Sequence, residues 1–99
     1  MIIISQAKET ILNFKNVQEI RIEEYGTHVK GKKIYKIFSG NFEGYATLLG
    51  TYETKERAKE VLQEIVEAYV DSKKSKEAQA VFGYSVIPSN TYYEMPKEW

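Results

Sequence analysis

Thr54-Lys55-Glu56-Arg57-Ala58-Lys59-Glu60-Val61-Leu62-Gln63-Glu64-Ile65-Val66-Glu67-Ala68-Tyr69 is the stretch that decides the fold. Ala58, Val61, Leu62, Ile65, Val66 and Tyr69 recur at i, i+3, i+4, i+7, i+8 and i+11, which is one apolar stripe along a helix. Lys55, Glu56, Lys59, Glu60, Gln63, Glu64 and Glu67 fill the other face. The Thr54 hydroxyl suits an N-cap, and Glu53 and Glu56 complement the positive end of the helix dipole. The spacing predicts a helix over 54–71. Such a helix must lay its stripe on an apolar sheet face.

Upstream the period falls to two. Over Val17–Tyr25, Ile20 and Ile22 alternate with Glu19, Arg21 and Glu23, as in a half-buried strand. Ile2–Ser5, Thr10–Phe14, Ile34–Phe38 and Tyr45–Tyr52 are further β-prone runs. Glycine-bounded loops separate the later ones, and Gly50 marks a candidate bulge. Residues 1–52 therefore read as an antiparallel β-meander. Downstream, Asp71–Glu77 has no apolar residue and reads as a solvated helix end or a loop. Ala80–Ile87 is β-prone, Pro88-Ser89-Asn90 signals a turn, and Tyr92–Met95 is a last short strand. The expected fold is α+β, one domain over 1–99: an antiparallel β-meander packed by one long α-helix, followed by a C-terminal β-hairpin arm over 80–95. The run Val81–Ile87 is too apolar to stand in water, so the arm is expected to bury itself on its own sheet or against a second copy.

The 99 residues carry 14 Lys+Arg and 14 Asp+Glu, so the net charge is zero. That balance argues against nucleic acid as the partner; Lys30-Gly31-Lys32-Lys33 and Lys73-Lys74-Ser75-Lys76 are short lysine-only clusters in expected loops. With no cysteine, disulfides, thiol nucleophiles and Cys-ligated metals drop out, and a cytoplasmic, reducing location fits. Met1–Ile4 is too short for a signal peptide, and no run reaches the ~20 apolar residues of a membrane span.

No constellation for catalysis emerges, and the expectation is a protein that is not an enzyme and holds no cofactor or metal. His28 is the sole histidine, in a glycine-bounded loop, and reads as an exposed loop residue or a ligand contact. Gly40-Asn41-Phe42-Glu43-Gly44 lacks phosphate-loop spacing. Glu23 and Glu24 are neighbours on a strand and point to opposite faces, so they cannot work as an acid–base pair. What stands out is eight tyrosines and only two arginines. Phe82, Tyr84, Asn90, Tyr92 and Tyr93 form the densest polar-aromatic cluster. It suits either a packed subunit interface or a base-binding surface, with Phe82 and Tyr84 stacking and Asn90 and Tyr92 reading a base or ribose. Arg21 and Arg57 are candidate phosphate clamps, or ordinary partners of nearby glutamates.

Met1–Gln6, the junction Leu49-Gly50-Thr51-Tyr52-Glu53-Thr54-Lys55-Glu56-Arg57-Ala58, Val61-Leu62-Gln63-Glu64-Ile65 and Tyr93-Glu94-Met95-Pro96 together resemble small uncharacterised proteins of Firmicute phages and prophages. The resemblance covers both ends and the helix, and 24–45 lies outside it. It implies an anti-defence accessory role in the host cytoplasm. One form is a homo-oligomeric sponge, as in anti-Thoeris proteins, that sequesters a cyclic nucleotide or ADP-ribose type immune signal. The other is an inhibitor or adaptor that binds a host defence protein directly.

Overall fold

The computed structural model describes residues 1–82 and 92–97, with 74–82 described by their backbone alone. The elements are β1 (Ile2–Ile4), β2 (Ile11–Asn13), a 3-10 turn (Phe14–Asn16), β3 (Val17–Gly26), β4 (Lys33–Asn41), β5 (Ala46–Tyr52), α1 (Lys55–Phe82) and β6 (Tyr92–Glu94). The fold is α+β, with one helix packed on antiparallel strands.

The strands form two sheets, not one meander. β3-β4-β5 is antiparallel throughout, while β2-β1-β6 sets the first and last strands side by side. The break falls at the 3-10 turn, which redirects the chain between β2 and β3. There the Asn13 side chain accepts the Lys15 N–H at 3.0 Å, and the Phe14 ring stacks on Tyr69 of α1 with centroids 4.6 Å apart.

Thr54 caps α1 as expected: its hydroxyl oxygen accepts the Arg57 N–H at 3.1 Å. Ala58, Val61 and Ile65 are fully buried against Ile37 of β4, Leu49 and Tyr52 of β5, Ile3 of β1 and Met95 beyond β6. Each of the larger aliphatic side chains stabilises the fold by about 1.5–3 kcal/mol. Val66, expected on the stripe, is instead 49% exposed. It sits about 100° around the helix from Ile65, past the edge of the buried face.

The helix also outruns its expected end at residue 71 and continues to Phe82. No Gly or Pro occurs between Tyr52 and Gly83, and the polar run 71–77 is made of residue types that a helix tolerates. Residues 80–82, expected to open the hairpin arm, are therefore helical. Residues 83–91 of that arm lie outside the described residues. Its last strand forms as expected, but β6 lies parallel to β1, with Ile3 opposite Tyr93. The Met95 N–H then donates to the Ile4 carbonyl at 3.0 Å, so this terminal stretch docks on its own chain.

The bulge expected at Gly50 is present. Ile37 faces Gly50 while Phe38 faces Leu48, leaving Leu49 as the extra residue. Gly50 is needed there, because a Cβ would sit 2.9 Å from the buried Tyr52 hydroxyl oxygen.

Candidate functional site

The bulge turns the Leu49 carbonyl outward, where it accepts the Gln6 N–H at 2.7 Å. The Gln6 side chain then grips Thr51: Oε1 accepts the Thr51 N–H at 2.9 Å and Nε2 donates to the Thr51 carbonyl at 3.1 Å. The outer edge of β5 is thus closed over 49–51 by one residue of the β1–β2 turn. Further along, the Asn41 N–H donates to the Tyr45 carbonyl at 3.0 Å, so Tyr45 and Thr47 face β4. By antiparallel alternation Ala46 and Leu48 aim their N–H and C=O groups outward. No strand among the described residues pairs with this edge. A groove of about 410 Å³ runs along it, floored by β5 and walled by Gln6, Ala7, Glu9 and Thr10.

The β4–β5 turn beside that edge is well braced. Asn41 Oδ1 accepts the N–H groups of Glu43 (3.0 Å) and Tyr45 (2.9 Å), and Gly44 supplies the positive φ of 90° the turn requires. The braced turn holds large apolar side chains in solvent: Phe42 is 73% exposed, Tyr45 70% and Leu48 44%. Hairpin tips are normally small and polar, so an ordered tip with two exposed aromatic rings is a candidate contact surface.

The residues singled out from sequence fall elsewhere. Arg21 lies mid-β3, its Nε donating to Glu23 at 2.7 Å and its Nη1 to Glu19 at 2.8 Å. Its guanidinium rests 5.6 Å from the Phe38 ring. Arg21 alternates with Ile20 and Ile22, which pack on the core, so it points to the face away from α1. Arg57, on α1, bonds Glu60 at 3.1 Å and Glu64 at 3.2 Å. The sheet stands between the two arginines, and they do not converge. Tyr92 is an exposed residue of β6 and Phe82 ends α1; Tyr84 and Asn90 lie outside the described residues. The site at the β5 edge is built instead from Gln6, Phe42, Tyr45 and Leu48, which the sequence reading does not single out. Glycine-bounded aromatics at 42 and 45 are the available signal for the tip.

Charge tuning is local. Hydrogen bonding to Arg21 holds the Glu23 carboxyl below its usual range, and Lys33 does the same for Glu24. Tyr93, whose hydroxyl donates to Glu64 at 3.3 Å, is pushed above the ordinary tyrosine range, first by burial and then by the Glu64 charge. A tyrosine harder to ionise when folded loses stability as pH rises past about 10, because the unfolded chain releases that proton first. The expected result is a Tyr93→Phe variant whose urea midpoint falls less than wild type above that pH.

Among the described residues no group of three or more His, Asp or Glu is placed to hold a metal ion, and no helix is long and apolar enough to cross a membrane. The chain matches no protein-family model, no curated protein and no solved structure.

Proposed function

We propose that this protein acts by direct protein–protein contact, as an inhibitor or adaptor that captures an extended segment of its partner along β5. The carrying observation is the braced turn that holds Phe42 and Tyr45 in water beside the outward-facing backbone of Ala46 and Leu48. An added strand would satisfy that backbone, the groove would take alternate side chains, and the aromatic tip would supply the apolar anchor. The resemblance to phage proteins makes a host defence protein the partner to look for.

Ala46→Pro tests the strand addition, because proline removes an N–H that faces away from β4 and leaves the existing ladder intact. Phe42→Ser tests the anchor. Wild type is expected to hold one host protein stoichiometrically through affinity capture. Ala46→Pro should abolish that capture and Phe42→Ser should weaken it by about ten- to a hundredfold, the loss of one buried aromatic. Capture that survives both changes would refute the site. If wild type captures nothing but gains mass in native mass spectrometry with cyclic nucleotides or ADP-ribose isomers, sequestration of such a signal is the function instead.

A further inference from the structure

β3 is the other outer strand of the β3-β4-β5 sheet, and it differs from β5 in being long and open from end to end. It runs ten residues, Val17–Gly26, and no strand among the described residues lies on its outer side. Its register against β4 is unbroken from Glu19 to Gly26; the one shift lies between Val17 and Glu19. The Thr27 N–H donates to the Lys32 carbonyl at 3.2 Å, which fixes the phase of the ladder. Odd-numbered residues bond to β4, and Ile20, Ile22 and Glu24 aim their N–H and C=O groups outward. Edge strands are usually blunted by brevity, proline, charged side chains (lysine above all) or a mid-strand bulge. β3 has no proline or lysine, and its irregularity is confined to its first residues. Its charged residues Glu19, Arg21, Glu23 and Glu24 are of both signs and so admit a complementary partner.

We infer that β3 is a self-association edge, which pairs antiparallel with β3 of a second copy about a two-fold axis at Ile22. The occupant is set by charge. On the face away from α1, the strand reads Glu19, Arg21, Glu23, a cation between two anions. The outward backbone groups allow only registers in which even residues face even residues. Placing the axis at Arg21 sets arginine against arginine and Glu19 against the partner's Glu23. Placing it at Ile22 sets Arg21 against the partner's Glu23 twice, and Ile20 against the partner's Glu24. This register also keeps the paired region within 18–26, almost clear of the shift at Val17, whereas an axis at Ile20 runs through it. The half-buried Ile22 side chains meet at the axis. The two three-stranded sheets become one of six strands. This inference is independent of the partner proposed for β5, which lies at the opposite edge.

Sedimentation and native mass spectrometry of the full chain test the interface. Wild type is expected to populate a dimer as concentration rises. Arg21→Glu and Glu23→Arg should each weaken dimerisation at least tenfold. The double variant should restore it, because positions 21 and 23 would again face each other across the axis with opposite charges. The same double variant in the Ile20-centred register would set glutamate against the partner's Glu19 and stay weak. Because the native chain has no cysteine, Ile22→Cys alone should crosslink to a dimer under mild oxidation, at a Cα separation of about 5.5 Å. Circular dichroism checks that each variant keeps its helix. A wild type that stays monomeric overturns the inference, as does a dimer indifferent to both single reversals or one that Ile22→Cys does not crosslink.

Discussion

Tyr52→Ala is expected to destabilise the protein by about 4–6 kcal/mol, through the loss of both a buried ring and its hydrogen bond. Tyr52 is fully buried at the end of β5, in contact with elements from both sheets and the helix. Truncating a buried aromatic to alanine costs about 3–5 kcal/mol through lost burial and an unfilled cavity. Its hydroxyl also donates to the Pro96 carbonyl at 3.1 Å, and that bond contributes about 1 kcal/mol more. A domain of this size has about 5–15 kcal/mol in total, so the variant should be at the margin of folding. Thermal melting should fall by roughly 16–48 °C at about 4–8 °C per kcal/mol. Tyr52→Phe separates the two contributions: it keeps the ring, loses the bond to Pro96, and should cost only about 1 kcal/mol. A Tyr52→Ala protein that melts within a few degrees of wild type would mean the ring does not organise the core as described.

How much of this was legible beforehand depends on the range of the cause. The helix start and the stripe of Ala58, Val61 and Ile65 come from spacing within one element, and they were readable. So was the bulge, because a glycine inside a strand is a local signal. The helix end at Phe82 was not, since the polar residues 71–77 are compatible with either helix or loop and only the absence of Gly and Pro favoured continuation. The parallel pairing of β6 with β1 joins residues about as far apart as the chain permits, and no local pattern encodes it. The tyrosines make the same point within one residue type. Tyr52 is core, Tyr45 is displayed at the tip, and Tyr93 is half-buried against Glu64, yet all three sit in β-prone runs. Arginine scarcity makes Arg21 and Arg57 stand out, but each pairs with glutamates of its own element, and the sheet between them becomes visible only in three dimensions.

Gln6→Ala is expected to cost about 2–4 kcal/mol, although Gln6 reads from sequence as an ordinary turn residue. Its amide reproduces one step of an antiparallel ladder on Thr51, accepting the N–H and donating to the C=O, and Nε2 also donates to the Pro96 carbonyl at 3.1 Å. It therefore ties the β1–β2 turn, the edge of β5 and the C-terminal stretch at one point. Three bonds at about 1 kcal/mol each are lost, and the N–H of the buried Thr51 is left without its acceptor. Urea denaturation reads the global cost. Amide exchange reads the local one, and the Thr51 N–H should lose protection by more than the global change explains. Gln6→Glu sharpens the test. A carboxylate still accepts from Thr51 but faces the carbonyls of Thr51 and Pro96 with no hydrogen to donate, so near neutral pH it should be no more stable than Gln6→Ala. Protonation returns one donor, and the folded state therefore raises the pKa of that carboxyl. A raised folded pKa contributes stability that is present at low pH and lost as pH rises through it. Glu23 and Glu24 shift in the opposite sense, so the measurement is the difference between variant and wild type at each pH. Gln6→Glu should gain on wild type as the solution is acidified. A variant that tracks wild type across the whole range, or a Gln6→Ala protein within about half a kcal/mol of wild type, would show that the β5 edge is not held by this side chain.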